Sequence, residues 1–377
     1  MGVGGLWKFL QNFGRRIVLR DFAVQRRAIA EQNGEHDSFL TLGVDMGTFM
    51  AECTGGALAA GVHRQPPGGG LYIFWKKLMD FLKAPIHLIF VFDGPGRPFV
   101  KRGRRVILAE PHWANAARDL IHDVGYESHE APGEAETELA MLIRAGLIHG
   151  MISGDSDAAV HGAPLILRPG RIEADEYTLY DLALLSHDVD GLSLSQGGLI
   201  LIALLCGGDY DPSGVFLCGP TIAYGLARCG FGDELLKAWN ALNQFELNEF
   251  LTGWRQRLRA ELETNSSGFL NRRHPSVAQD IDDEFPDLDV LQLYTSPLTS
   301  SSYSATLPTF RALGISPNIF ALTQFCLHHF NWSYEELFRK FEGWVWEGIF
   351  IQLLYSVRSK LLGTLSFLMI SIAPHCF

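Results

Sequence analysis

Runs of apolar residues that end in an acidic residue recur along this chain, and they constrain its fold more than any other feature. Asp45 and Asp93 each follow such a run, and Asp155 and Asp157 follow a third. Between the runs, apolar residues recur with the spacing of amphipathic helices. This alternation of strands and helices predicts an α/β fold in which a mainly parallel sheet is flanked by helices.

Seven carboxylates share a position at the end of a predicted strand or helix, or at the start of a helix: Asp45, Asp93, Glu134, Glu136, Asp155, Asp157 and Asp209. Taken singly, each could be a turn or N-cap residue. In an open α/β sheet, however, ligands bind outside the carboxyl ends of the strands, where these side chains would meet. Acidic groups gathered there repel one another unless cations neutralise them, and oxygen ligands suit Mg²⁺ or Mn²⁺. The pattern therefore predicts a site for two divalent ions, which could clamp the attacking and leaving oxygens of a phosphodiester.

The charge of the chain is unevenly distributed. Its net charge of −11 excludes a protein that is basic overall. Residues 1–130 hold 16 Lys and Arg against 13 Asp and Glu, and the remainder holds 15 against 29. Nucleic-acid binding would therefore need a local basic patch. One run of basic residues follows Asp93, and it is either such a patch, a solvated loop or a localisation signal: Arg97, Lys101, Arg102, Arg104 and Arg105.

The cysteines do not indicate disulfides, and the apolar C-terminal residues do not indicate a membrane span. The six cysteines show no Cys-x-x-Cys spacing, so neither disulfides nor a zinc site is expected. Residues 361–373 are apolar but too few to span a bilayer, and no membrane partner is predicted. They are expected to form a terminal helix, or else a non-native end that arises from an altered reading of the gene.

Five short motifs occur in the order in which the XPG-type structure-specific nuclease family has them, a family that includes flap endonucleases and eukaryotic Holliday-junction resolvases. They are Met1–Trp7, Val91–Gly94, Gly133–Glu136, Asp155–Asp157 and Gly208–Tyr210. The chain resembles this family over residues 1–260 and, more weakly, its fungal resolvase-like branch over residues 317–355. The resemblance implies a PIN-like nuclease core with a helical C-terminal lobe. It also implies a nuclear, Mg²⁺-dependent endonuclease that hydrolyses flapped or four-way-junction DNA in repair and recombination, as a dimer on a four-way junction.

The resemblance also implies roles for single residues. All seven carboxylates are implied to be metal ligands, with Asp45 alternatively orienting the attacking water. Lys101 and Arg105 are implied to stabilise charge on the scissile phosphate. DNA contacts are implied for Gly2, Arg97, Lys101, Arg102, Arg104, Arg105, Gly214 and Gly219.

Residues 214–228 resemble the family's helix–turn–helix, which binds duplex backbone and a K⁺ ion. Phe216 and Leu217 stand where the family has Pro-Gly, and Thr221 stands where a Lys is usual. These departures count against the K⁺ site and against a strong grip on duplex DNA. Together with Gly154, which replaces a polar or acidic residue, they keep open a second hypothesis, a catalytically weakened protein that binds DNA junctions.

A third hypothesis is a metal-dependent phosphatase in which Asp155 is the nucleophile and Asp157 the acid. It assigns Asp209 to the metal motif and leaves Asp45, Asp93, Glu134 and Glu136 without a role. Five regions follow from the favoured hypothesis: nuclease regions at 1–125 and 126–212, a helix–turn–helix region at 213–265, a flexible acidic and Ser-rich linker at 266–310, and a helical tail at 311–377. Residues 20–38, which are polar and charged, are predicted to form a surface excursion.

Overall fold

A seven-stranded sheet forms the centre of the molecule. The structure is a computed structural model that describes residues 2–33, 39–61, 69–106, 109–170, 175–185, 194–304, 306–311 and 316–355. Its strands are β1 (Arg15–Val18), β2 (Leu40–Asp45), β3 (Ile86–Phe92), β4 (Val100–Lys101), β5 (Arg104–Arg105), β6 (Glu127–Glu130), β7 (Gly150–Ile152), β8 (Leu165–Pro169) and β9 (Glu176–Asp181). The strand order of the sheet is β1-β9-β8-β7-β2-β3-β6, and β4 pairs only with β5.

The strands β6, β3, β2, β7 and β8 are parallel, whereas β9 and β1 continue the sheet in antiparallel pairs. The central strands β2 and β3 are buried along their whole length, as expected of parallel strands covered on both faces. The predicted class, a mainly parallel sheet flanked by helices, is confirmed.

Helices cover both faces of the sheet. They are α1 (Leu6–Leu10), α2 (Leu19–Gln32), α3 (Met46–Ala59), α4 (Gly69–Phe81), α5 (Ala114–Asp123), α6 (Ala135–Arg144), α7 (Asp157–Val160), α8 (Leu182–Leu185), α9 (Gln196–Cys206), α10 (Pro220–Arg228), α11 (Phe231–Ala241), α12 (Gln244–Thr264), α13 (Pro275–Asp280), α14 (Leu288–Thr295), α15 (Ser300–Tyr303), α16 (Ile319–His329) and α17 (Tyr334–Trp344). Residues 11–13 form a short 3₁₀ helix, and residues 346–355 are helical.

Alternate residues of β3 belong to different cores. Ile89 and Val91 pack with α1, α6, α7 and α9–α14, whereas Leu88 and Phe90 pack with α2–α5, α16 and α17. This is the period-two alternation that a strand imposes on its side chains. Both cores leave the carboxyl ends of β2, β3 and β7 at one edge of the sheet.

The segment predicted as a flexible linker, 266–310, is folded, and that prediction was wrong. It contains α13, α14 and α15, and Val277, Leu291 and Tyr294 are buried in the first core. Its acidic residues serve local structure, since Asp287 caps α14 by accepting hydrogen bonds from two backbone N–H groups. Arg259 on α12 also pairs with Asp283 at 2.7 Å. The composition of this segment suggested disorder. A few well-spaced apolar residues nevertheless suffice to anchor it in the core.

Residues 19–32 likewise form a helix, α2, where a surface excursion was predicted. Leu19, Phe22 and Ala23 are buried and form a narrow apolar stripe on this helix. The predicted tail helices are present as α16 and α17. The following helical residues are anchored by Gln352, which donates hydrogen bonds to the carbonyls of Leu82 and Ala84.

Among the described residues, no helix is long and apolar enough to cross a membrane. The prediction for residues 361–373 lies outside the described residues, as does most of the loop between α3 and α4. The boundaries proposed for the other regions stay predictions.

Candidate metal centre

Seven carboxylates meet at the carboxyl edge of the sheet, and we call this group the carboxylate pocket: Asp45, Asp93, Glu134, Glu136, Asp155, Asp157 and Asp209. Asp45 ends β2 and caps α3, and Asp93 directly follows β3. Glu134 is the N-cap of α6 and Glu136 lies in its first turn, as the sequence predicted. All members except Asp93 are buried, although each carries a titratable carboxyl group.

Short contacts bring the different strands' acids together. The backbone N–H of Ala135 donates to Asp93 Oδ1 at 2.9 Å, which links the end of β3 to the start of α6. Gly47 lies between Asp45 and Asp93, since a Cβ placed on it would be 3.4 Å and 3.3 Å from their carboxylate oxygens. The N–H of Asp157 donates to Asp155 Oδ1 at 3.2 Å. Acids that are far apart in the sequence are thus brought together in one pocket.

The N-terminal residues close one side of the pocket. The N–H of Val3 donates to Asp157 Oδ1 at 2.9 Å, and the Trp7 indole donates to the Gly154 carbonyl at 2.9 Å. Gly2 has φ +85°, and a Cβ there would lie 2.2 Å from Asp155 Oδ1. Only glycine therefore fits at position 2 without a shift. Its predicted contact with DNA stays a prediction.

A basic hairpin, made by β4 and β5 (residues 100–105), reaches over the pocket. Lys101 contacts Glu134 and lies 3.6 Å from Asp209 Oδ2. Arg102 donates from Nε to Asp209 Oδ1 at 2.7 Å, and its Nη2 lies 3.7 Å from Asp155 Oδ2. The backbone φ of Arg102 is +53°, and that of the next residue is also positive, as in the turn types of tight hairpins. Two cationic side chains therefore occupy the mouth of the pocket.

The other predicted basic residues differ in position. Arg97 donates to Asp93 Oδ2 at 2.7 Å and so belongs to the pocket. Arg104 and Arg105 are exposed on β5, and among the described residues neither has an ion-pair partner. The structure does not bring Arg105 to the carboxylates, and its predicted catalytic role stays a prediction.

The electrostatics of the pocket favour an added cation. Burial, followed by the charges of Asp155 and Asp157, raises the pKa of Glu136 well above its usual range. Burial also raises the pKa of Asp157 and, with the neighbouring charge of Asp93, raises that of Asp45 to about 6. These raised pKa values mean that nearby positive charges do not fully balance the negative charges of the ionised carboxylates, because a favourable partner would lower the pKa instead.

Two buried carboxylate oxygens, Glu136 Oε1 and Asp157 Oδ2, accept no hydrogen bond from the described residues. Buried acceptors of this kind usually have a partner, and a divalent ion would supply one. As they stand, however, no three His, Cys, Asp or Glu side chains of the described part of the chain are arranged to hold an ion. Lys101 and Arg102 hold Glu134, Asp155 and Asp209 in ion pairs. The residues therefore fit divalent ions, provided that the hairpin cations give way.

Three residues that the sequence analysis missed lie behind the acids. Tyr210 donates to Glu134 through its hydroxyl, and His161 Nε2 lies 3.4 Å from that hydroxyl. Burial lowers the pKa of His161 to about 3, so the ring is neutral. Tyr294 from α14 packs against both rings. Tyr210 is the last residue of the Gly208–Tyr210 motif and could have been assigned a role, whereas Tyr294 lies in the segment predicted as a linker.

The turn before α10 lies apart from the hairpin. Leu217 has φ +60°, and both it and Phe216 are exposed. The N–H of Phe216 donates to Asp280 Oδ2 at 2.7 Å. Gly214 makes a close backbone approach, since a Cβ there would lie 2.5 Å from the Gly207 nitrogen, and the N-cap Gly219 has open space. Their predicted DNA contacts stay predictions.

Comparison with known proteins agrees with this geometry. Residues 125–209 match the family model described as the XPG I-region. Flap endonuclease 1 of Methanocaldococcus jannaschii is 31% identical over 137 residues, which are 36% of this chain and 41% of that protein. Flap endonuclease GEN of Drosophila melanogaster is 28% identical over 152 residues, 38% of this chain and 19% of that protein. The chain therefore spans less than half the length of these relatives.

Solved structures match more of the chain. A eukaryotic junction-resolving enzyme, GEN-1, solved with caesium, has a TM-score of 0.73 and 29% identity, covering 93% of this chain and 79% of that one. The Holliday junction-resolving enzyme GEN1 in complex with product DNA and a Mg²⁺ ion has a TM-score of 0.70 with the same identity and coverage. The fold is that of a PIN-like nuclease core. The chain is similar to XPG-type nucleases over residues 125–209, which agrees with the resemblance that the motif order indicated.

Proposed function

We propose that this chain is a divalent-metal-dependent, structure-specific DNA endonuclease that hydrolyses phosphodiesters at flaps or four-way junctions. The observation that carries the proposal is the carboxylate pocket, in which seven acids from separate elements converge and two buried oxygens lack partners. The relatives named as flap endonucleases and junction-resolving enzymes support the same reaction and substrate class.

In this proposal Glu134, Glu136, Asp155, Asp157 and Asp209 hold two Mg²⁺ or Mn²⁺ ions. When bound, such ions act as Lewis acids and stabilise the attacking and leaving oxygens of the phosphodiester. Tyr210 and the neutral His161 fix the orientation of Glu134, because the Tyr210 hydroxyl bridges the two.

Asp45 and Asp93 form the outer side of the pocket. Asp45 is held by Thr48, whose N–H and hydroxyl donate to it at 3.2 Å and 2.7 Å, so its carboxylate is well placed to orient a water. Lys101, Arg102 and Arg97 are ion-paired with acids in the absence of substrate. If Glu134 and Asp209 held divalent ions, Lys101 and Arg102 would be free to bind the scissile phosphate and its neighbours.

Finer assignments follow from the same proposal. The protein acts on branched DNA in the nucleus, and a dimer forms on a four-way junction. A K⁺ ion at the turn before α10 is supported by the similar junction-resolving enzyme GEN-1, which has been solved with potassium.

The catalytically weakened alternative rests on the turn before α10 and on Gly154. Leu217 and Asp280 concern DNA binding at this turn. All seven acids of the carboxylate pocket are present, so the acids themselves give no argument against catalysis. The phosphatase alternative needs only Asp155, Asp157 and Asp209. It gives no reason for Glu136, whose burial beside other acids is unfavourable without a cation.

The proposal is tested with labelled flap, nicked and four-way DNA, incubated with the protein in Mg²⁺ or in EDTA. We expect cleavage near the branch point in Mg²⁺ only. Asp155→Asn should bind the same DNA without cutting it, because the substitution removes a ligand and a negative charge. Binding without cleavage by the wild type, in both Mg²⁺ and Mn²⁺, would favour the weakened alternative and overturn the proposal.

A further inference from the structure

Tyr294 brings a buried hydroxyl to the floor of the carboxylate pocket. It lies on α14 and is only 3% exposed. Its ring packs against Tyr210 with centroids 4.8 Å apart and against His161 at 5.6 Å. Among the described residues the hydroxyl has no hydrogen-bond partner, although it is fully desolvated. A buried hydroxyl without a partner is costly, so its presence calls for an explanation.

The position of the hydroxyl is fixed by Gly208. A Cβ added at Gly208 would lie 2.3 Å from the Tyr294 oxygen, so the glycine leaves the space that the hydroxyl fills. Gly208 directly precedes Asp209, and the Tyr294 hydroxyl therefore lies close to the Asp209 part of the carboxylate pocket. The φ of Gly208 is not in the left-handed region. Glycine is therefore needed here because it has no side chain, and not because of its backbone conformation.

Asp157 and Glu136 each have a buried oxygen without a partner among the described residues, and the charges around the hydroxyl favour Asp157 as its acceptor, because Asp157 has the larger effect on the pKa of Tyr294. After burial, the charges of Asp157 and then Asp209 raise the pKa of Tyr294, so the hydroxyl stays protonated and can act as a donor. Asp157 Oδ1 already accepts from Val3, whereas Asp157 Oδ2 is a buried acceptor without a partner. A donor and an acceptor that both lack partners thus lie in the same pocket. Asp209, by contrast, is held by Arg102.

We propose that Tyr294 is a positioning residue of the metal centre, whose hydroxyl donates a hydrogen bond to the Asp157 carboxylate when a divalent ion is bound. This inference rests on the proposed function. A carboxylate oxygen has two lone pairs and can accept from the hydroxyl while it also binds an ion. Hydrogen bonds to ligating carboxylates fix their orientation, and their loss usually weakens metal affinity 10–100-fold.

The test is calorimetric titration of Mn²⁺ into the full chain without DNA. Tyr294→Phe, which keeps the ring and removes only the hydroxyl, should bind Mn²⁺ roughly tenfold more weakly than the wild type. Tyr126→Phe is the matched control. Its hydroxyl is also buried and without a partner, but Tyr126 packs in the other core, and only burial raises its pKa. The control should keep wild-type affinity.

Melting in EDTA separates positioning from packing. Both Phe variants should melt at or above the wild-type temperature, because each loses an unsatisfied buried hydroxyl. Gly208→Ala should reproduce the affinity loss of Tyr294→Phe by pushing the hydroxyl aside.

The outcomes distinguish this inference from the proposed function. Equal Mn²⁺ affinities of Tyr294→Phe and the wild type would overturn the role of Tyr294 and leave the metal centre standing. An equal loss in Tyr126→Phe would also overturn it. A wild type that binds no Mn²⁺ would overturn both.

Discussion

Replacing Asp45 by Asn should stabilise the metal-free protein, although it removes a proposed active-site residue. The structural role of Asp45 survives, because Asn is an equally good N-cap and can still accept from the N–H of Thr48. What disappears is a buried negative charge beside Asp93. Burial and that neighbour raise the pKa of Asp45 from 3.8 to about 6. At 1.36 kcal/mol per pKa unit, this amounts to at most about 3 kcal/mol.

The pH dependence has a definite sign. Because the pKa of Asp45 is higher in the folded state, the folded protein binds this proton more tightly than the unfolded chain. The wild type therefore loses stability as pH rises from about 4 to about 6, and the loss is complete above that range. Asp45→Asn escapes this loss. The variant should exceed the wild type by about 1–3 kcal/mol at pH 7.5, and the difference should vanish near pH 4.

Urea unfolding in EDTA at the two pH values measures this difference directly. Saturating Mg²⁺ at pH 7.5 should narrow the difference, since the nearby charge of Asp45 favours the ion and binding at 100 times the dissociation constant adds about 2.7 kcal/mol. The reasoning is refuted if Asp45→Asn is no more stable than the wild type at pH 7.5 in EDTA, or if the advantage persists unchanged at pH 4.

Three further predictions concern the hairpin and the turn before α10. Arg102→Gln removes a cation that competes for Asp209, so calorimetry should show roughly fivefold tighter Mg²⁺ binding, about 1 kcal/mol, and unchanged affinity would show that Arg102 does not compete. Leu217→Gly should raise the free energy of unfolding by about 1 kcal/mol, because an exposed Leu at φ +60° is strained; a loss of stability in urea would contradict this. Asp280→Asn should tighten junction binding at low salt, and the gain should shrink as salt rises; a gain independent of salt would exclude electrostatic repulsion as the cause.

The sequence predicted those parts of the site that depend on local pattern. Asp93 was identifiable because it ends a seven-residue apolar strand, and the carboxyl ends of parallel strands share one edge. Glu134 and Glu136 could be placed at a helix start because Pro132 and Gly133 precede them. In each case the neighbouring residues in the chain carry the information.

What could not be predicted depends on contacts between distant residues. Arg102 and Asp209 are 107 positions apart, and nothing in the basic run indicates that its third member pairs with that acid. Tyr294 was overlooked because its segment is acidic and rich in Ser, and composition outweighed the spacing of Val290, Leu291 and Tyr294 on α14. The folded state of such a segment is decided by the core that receives it, not by its own composition.

Anomalous diffraction from crystals soaked in Mn²⁺ tests the central claim, that the carboxylate pocket holds two divalent ions, most directly. Two peaks about 3.5–4 Å apart are expected between Glu136, Asp155 and Asp157, with Arg102 moved away from Asp209. A pocket without a peak, in which Lys101 and Arg102 remain on Glu134 and Asp209, would contradict the account.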